Sequence, residues 1–289
     1  MKAPSYLSFS LRSISLVALA ALTMVCSASE GAPLVKFMPS NTWPSTDWYQ
    51  SNYSSPAVAV TTVNDRSWMS IGRTASNIGA AQLVYTAGSY TEASLPQAAP
   101  SNQLSNYTGH VILGATGWNT TDGIGVVLRS RVSAFSGTDA YFLAVTSNGL
   151  GLYWDTGVDF VTNATSLASG SLSTTLSSLA NGGEYLLQFS AIGTKIDAAL
   201  YSAWTLDESG NPVGTPIASL TYTDVREEAR LSGYLALRGG RFGSNRTAYF
   251  RELEVYAIPE PSGAMLGLTG AGMALGACLL RSRKAQRVS

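Results

Sequence analysis

Residues 185–201 read Tyr-Leu-Leu-Gln-Phe-Ser-Ala-Ile-Gly-Thr-Lys-Ile-Asp-Ala-Ala-Leu-Tyr. Two apolar-rich runs meet at Ile192-Gly193-Thr194, where glycine supplies the positive φ that a tight turn requires. Neither run carries a sustained helical period, so Tyr185–Ile192 and Lys195–Tyr201 are expected to be two strands of an antiparallel hairpin.

The same pattern recurs along the body of the chain. Gly, Ser, Thr and Asn punctuate short runs rich in Val, Leu, Tyr and Phe at 57–63, 82–86, 107–113, 123–131, 141–146, 150–154, 217–222, 234–238 and 248–256. A second hairpin is marked at Ser147-Asn148-Gly149. Alternation with period two, one face apolar and the other wet, places Ile124, Val126 and Leu128 on one face and Arg129 on the other, and likewise sets Leu253 and Val255 against Glu252 and Glu254. Repeated strands without intervening helices predict an all-β fold, an antiparallel β-sandwich. The Ser/Leu-rich stretch 167–183 is read as a long connection with one short strand or helical turn.

The ends of the chain carry different signals. Lys2 and Arg12 precede the apolar run 14–25, and small residues Ser27, Ala28 and Ser29 follow, the order of a secretory signal peptide. Cys26 invites a lipoprotein reading, but Val25 stands where a small residue is wanted. At the other end, Pro259, Glu260 and Pro261 lead into residues 262–280, which hold no charged side chain, and then into Arg281, Arg283, Lys284 and Arg287. As a helix that run is about 28 Å long, one bilayer core. The basic tail acts as a stop-transfer signal and places itself on the cytoplasmic side. The expected division is therefore a signal peptide at 1–29, one sandwich domain at 30–257 and a sorting signal with a transmembrane helix at 258–289, with no linker dividing the body.

This order of Pro-Glu-Pro, apolar span and basic terminus resembles the PEP-CTERM sorting signal of Gram-negative bacteria. The resemblance implies an exosortase as partner, contact with the membrane during sorting, removal of the tail, and delivery to the cell surface or an extracellular exopolysaccharide matrix. An ordinary membrane anchor is the competing reading. In the body, the runs at 123–129, 141–145, 185–201, 233–238 and 249–256 resemble the concanavalin-like jelly roll, its laminin-G-like members and the related 3-keto-disaccharide hydrolase domain.

Composition narrows the chemistry. The whole chain balances 18 basic against 18 acidic residues, but residues 30–258 keep 12 basic and 17 acidic groups, a net of −5. With no basic patch, nucleic acid is not an expected partner. Neither Cys26 nor Cys278 belongs to the exported domain, so its core alone must hold it, and no cysteine nucleophile is available. His110 is the only histidine, which rules out a zinc site made of several His or Cys ligands. As a lone histidine in a strand it reads as structural.

Paired carboxylates remain open to a sugar-active sandwich. The candidates are Glu252 with Glu254, Asp155 with Asp159, and Asp224 with Glu227 and Glu228. Glu252-Leu253-Glu254-Val255-Tyr256-Ala257 departs from the E-x-D-x-x-E motif of laminarinase-type glycosidases, and no catalytic residue is assigned.

Trp118 with Asp122 and Trp154 with Asp155 are the ligand-binding candidates, each offering an apolar plate and an acceptor for sugar hydroxyls. Packing is the competing reading of both rings, as it is for Trp43, Trp48, Tyr49 and Tyr53 near the mature N-terminus. The loops at 118–123 and 154–159 also offer oxygens for Ca²⁺, without EF-hand spacing. The sequence thus points to a non-catalytic polysaccharide- or matrix-binding protein. A secreted sugar hydrolase and a purely structural matrix component are its alternatives.

Overall fold

The computed structural model describes residues 33–39, 48–52, 57–72, 81–85, 104–120, 123–130, 139–155, 164–208, 210–239 and 246–258. The signal peptide and the Pro259-Glu260-Pro261 signal with its apolar run and basic tail lie outside them. Among the described residues no helix is long and apolar enough to cross a membrane.

The strands are β1 (Val35–Phe37), β2 (Trp48–Asn52), β3 (Ala57–Val63), β4 (Arg66–Gly72), β5 (Ala81–Tyr85), β6 (Tyr107–Ala115), β7 (Ile124–Ser130), β8 (Ala140–Thr146) and β9 (Gly149–Asp155). They continue with β10 (Ala164–Ser171), β11 (Tyr185–Ile192), β12 (Lys195–Tyr201), β13 (Thr205–Leu206), β14 (Pro212–Val213), β15 (Ala218–Thr223), β16 (Tyr234–Gly239) and β17 (Thr247–Ala257). One antiparallel sheet runs β15-β12-β11-β6-β17-β4-β3, with β1 beside β17, and the other runs β10-β9-β8-β7-β16-β5-β2. The fold is all-β, and the two sheets face each other across one apolar core.

Period two explains that core. Val111 and Leu113 of β6, Leu187 and Phe189 of β11, and Phe250, Leu253 and Val255 of β17 project inward from one sheet. They meet Ile124, Val126 and Leu128 of β7 and Leu143 and Val145 of β8 from the other. The 185–201 hairpin forms in the expected register, with Ile192 paired to Lys195 and the turn at Gly193 (φ 54°). Asn64 and Asp65 both take positive φ, which gives the tight β3–β4 turn the twist its strands require.

Two expectations change. The face of β7 opposite Ile124 is dry: Val127 packs with Phe142, Ala144, Tyr234 and Ala236 on the outer side of the seven-stranded sheet. Arg129 is 0 % exposed rather than on a wet face. It takes φ 54° beside a register shift between β7 and β16, which turns its side chain into the end of the sandwich. There its guanidinium donates to the carbonyls of Gly193 (2.5 Å), Arg230 (2.8 Å) and Ser105 (2.7 Å), tying three connections together. In β17, one extra residue separates Arg251, opposite Ile112, from Glu254, opposite His110, so Arg251 and Glu252 (φ 52°) both stay off the core, while Leu253 and Val255 face inward and Glu252 and Glu254 outward as the alternation predicts.

The stretch 167–183 holds the end of β10 and then a 3-10 turn at Leu179–Asn181. Along one side, β10 and β15 close the sandwich backbone against backbone. A Cβ added to Gly170 would stand 2.0 Å from the Ser219 carbonyl oxygen.

Candidate functional site

The outer face of the eight-stranded sheet has a chemistry of its own. Because side chains alternate, each inward apolar residue leaves a neighbour pointing out, and the register aligns these neighbours across strands. One row runs Thr221, Asp197, Ser190, Thr108, Tyr256 across β15, β12, β11, β6 and β17. The next runs Ser219, Ala199, Gln188, His110, Glu254 and ends on Lys36 of β1. At about 4.8 Å per strand, each row spans roughly 19 Å between β15 and β17.

The third row is apolar. Tyr201, Leu186 and Ile112 pack there with Trp68 and Leu179, partly covered by Trp204 and Tyr249. The face is therefore a polar trough bordered by an aromatic and aliphatic bank.

Short side chains make the trough a depression. Thr108, Gln188, Ser190, Asp197, Ser219 and Thr221 line a hollow of about 240 Å³. Thr221 donates to Asp197 (2.7 Å) and Lys195 pairs with the same carboxylate (2.8 Å). Burial pushes the Asp197 carboxyl up, but the Lys195 ammonium and the Thr221 hydroxyl outweigh it and hold the group below its usual range. The Tyr201 hydroxyl donates to the Gln188 side-chain carbonyl (3.4 Å). Ser190 and Ser219 hold no side-chain partner among the described residues. Hydroxyls and an amide each offer donors and acceptors, the mixture that polyhydroxylated ligands match.

At the far end, Glu254 accepts from Tyr256 (2.6 Å) and pairs with Lys36 (2.8 Å). Burial pushes Glu254 up as well, and those two partners bring it below the usual carboxylate range, while the Tyr256 phenol is pushed up to about 12. His110 beside it is 5 % exposed, and burial lowers its pKa against the opposing pull of Glu254 and Glu252.

A hairpin crosses this face. After Tyr201 the chain passes through Trp204, which packs on the apolar row, and forms the small β13–β14 ribbon. At its tip, a Cβ on Gly210 would stand 3.8 Å from the Tyr256 hydroxyl. On the other side of the hairpin's base, Asn64, Arg66, Glu184, Ala203 and Trp204 line a wider bay of about 500 Å³. Glu184 sits there between Arg66 (2.6 Å) and Arg251 (3.3 Å).

The aromatic candidates read from the sequence stand apart from this face and from each other. Trp154 is 6 % exposed, part of the core, edge-on to Tyr141 and beneath the Arg226 guanidinium at 4.2 Å. Trp118 packs edge-on against Tyr185 at the opposite end of the sandwich and donates to the Ser177 carbonyl (2.8 Å). Asp155 contributes backbone pairing to β8 and β10, and Asp122 lies outside the described residues. Among the described residues no group of three or more His, Cys, Asp or Glu side chains is placed to hold a metal ion; much of the two suggested Ca²⁺ loops falls outside them.

In two of the three carboxylate groupings ion pairs already hold members, and Asp159 of the third lies outside the described residues. Asp224 is buried, accepts from Tyr141 and forms a two-pronged pair with Arg226 (2.9 and 2.6 Å). Burial pushes Asp224 up, yet the Arg226 guanidinium and the Tyr141 hydroxyl bring it down to about 2. Glu252 pairs with Arg251 at 2.8 Å. A proton donor in glycoside hydrolysis needs a raised pKa, the opposite of what Asp224 and Glu254 show.

No protein-family model matches the chain, and neither does any curated protein sequence. Among solved structures, the chain is similar to the carbohydrate binding module CBM66 from Bacillus subtilis, at 14 % identity and TM-score 0.45, covering 73 % of this chain and 96 % of that one. It is also similar to a legume lectin-like domain from Entamoeba histolytica, at 11 % identity and TM-score 0.43, covering 74 % and 91 %. A third similar structure is the lectin I-B4 from Griffonia simplicifolia in its metal-free form, at 12 % identity and TM-score 0.43, covering 77 % and 98 %.

Proposed function

We propose that this chain is an exported surface or matrix protein whose sandwich binds polysaccharide along the outer trough of the eight-stranded sheet, without catalysis. The observation that carries the reading is the alignment of the two polar rows, where hydroxyl, amide and carboxylate groups meet beside an apolar bank. A sugar chain presents the same alternation of hydroxyl edges and apolar faces.

A glycan array probed with the full chain in detergent tests the reading. Ser190→Trp fills the hollow with an indole, and it should abolish retention while leaving the melting temperature within a few degrees of the parent. Retention that survives this substitution places the ligand elsewhere.

The sorting half of the proposal rests on Pro259, Glu260 and Pro261, the apolar run after them and the basic residues Arg281, Arg283, Lys284 and Arg287. An exosortase would recognise the exposed Pro-Glu-Pro strip while the span holds it at the membrane. Mass spectrometry of the surface form should find the tail removed, and replacing all three recognition residues by Ala should leave it attached. A wild-type surface form that still ends at Ser289 would mean a plain anchor.

A further inference from the structure

We infer that the ligand of this face is a neutral, hydroxyl-rich polysaccharide and that polyanionic chains carrying uronate, sulfate or phosphate groups are excluded. The inference rests on the reading of the trough as a glycan site and adds the charge class of its ligand.

Among the described residues, every cation on this face is already held by a carboxylate. Lys195 is paired with Asp197, Lys36 with Glu254, Arg66 with Glu184, and Arg251 with both Glu184 and Glu252. The remaining basic group in the rows, His110, is kept neutral by burial. Asp65, Asp207 and Glu208 add acidic charge at the two turns bordering the face. An incoming carboxylate or sulfate would therefore find no cation to neutralise it. It would also stand beside Asp197 or Glu254, and like charges brought together across an interface select against the wrong partner.

A hydroxyl meets none of that opposition. The carboxylate oxygens of Asp197 and Glu254 each retain a further lone-pair direction beyond the partners they hold, so both accept from a sugar hydroxyl while remaining paired. Ser190, Ser219 and Gln188 between them donate and accept. The ion pairs thus serve as neutral, fixed acceptors.

The test is the array divided by charge: neutral gluco-, manno-, galacto- and xylo-oligosaccharides against polyuronate and sulfated chains, read at low salt with the full chain. Retention on neutral chains with at least about tenfold weaker retention on acidic ones is expected. Preference for acidic chains overturns the inference and leaves the glycan site standing, whereas no retention on either class removes the glycan site itself. The double variant Asp197→Asn with Glu254→Gln frees Lys195 and Lys36, and should gain salt-sensitive retention on acidic chains. Ala199→Lys adds one unpaired cation to the trough without disturbing either pair, and should show the same gain. If both variants fold and still reject acidic chains, charge is not what excludes them.

Discussion

Glu254 stands directly opposite His110 on the neighbouring strand, and its carboxylate draws a proton toward an imidazole that burial keeps neutral. Burial is the larger influence, so the folded pKa lies below the ordinary 6.5. The unfolded chain then binds more protons as pH falls, and the stability linked to His110 is complete above about 6.5 and lost as pH drops through the lower folded value. Urea midpoints measured from pH 8 to pH 5 should decline below about 6.5, and His110→Gln should flatten that part of the profile. A parallel decline in the variant would assign it to another group.

A second acid-sensitive element sits at the end of the sandwich. Asp224 is held at about 2 against an ordinary 3.8, so its contribution of about 2 kcal/mol is present above 3.8 and lost as pH falls toward 2. Asp224→Ala should cost about 3–5 kcal/mol at neutral pH, because it removes the two-pronged partner of Arg226 above Trp154 and leaves only the longer contact to Glu228. Denaturant melts at pH 7 and pH 3 check both figures. The cost should shrink at the lower pH.

Trp154→Ala should destabilise the domain by about 3–5 kcal/mol, as removal of a buried aromatic does. Trp118→Ala should cost less, since its ring is only partly covered, and it leaves the Ser177 carbonyl without its donor. Neither substitution should change glycan affinity in protein that remains folded. A specific loss of binding in a stable Trp118→Ala variant would return the site to that loop.

Arg129→Lys keeps the charge but cannot hold three carbonyls with one planar fork. It should cost on the order of 3 kcal/mol and loosen the connections around Ser105, Gly193 and Arg230 together. Hydrogen exchange at those three segments should rise in concert, and a rise confined to one of them would contradict the clamp.

Replacing 205–213 by a short Gly-Ser link should leave the melting temperature nearly unchanged, because β13 and β14 pair mainly with each other. It should alter glycan affinity, because the ribbon crosses the face between Trp204 and Tyr256. Unchanged affinity would show that ligand does not pass beneath or beside it.

Much of the fold could be read from local pattern. Tyr185–Ile192 and Lys195–Tyr201 form to the residue, because apolar alternation and a turn glycine agree there. β4 escaped because Arg66-Ser67-Trp68-Met69-Ser70-Ile71 mixes polar and apolar residues on a strand whose outer Trp68 is also buried. β10 escaped because Ala164–Ser171 is mostly Ser, Ala and Gly, residues with little strand preference, with only Thr165 and Leu167 to signal a strand, and is held by its pairing to β9. Arg129 reads as wet-facing because period two marks which residues share a face and cannot say that both faces are covered, as the burial of Val127 beside it shows.

The site was less legible than the fold. Its members are ordinary Ser, Thr, Gln and His residues between Thr108 and Tyr256, brought into rows only by the register of strands distant in sequence. Trp-Asp neighbours are conspicuous in the sequence because they stand side by side. The usable signal was subtler: Gln188 with Ser190, Asp197 with Ala199 and Ser219 with Thr221 repeat small or polar residues at the outward positions of three strands that pair in space.

The close approach of Gly170 to Ser219 has a consequence for how molecules meet at their edges. An uncovered strand edge is a template on which a second molecule can extend the sheet. Here the outermost strands of the two layers, β10 and β15, shield each other along one whole flank. Stacking of neighbouring molecules is blocked on that flank by main chain rather than by charge, and this protection does not weaken as salt rises.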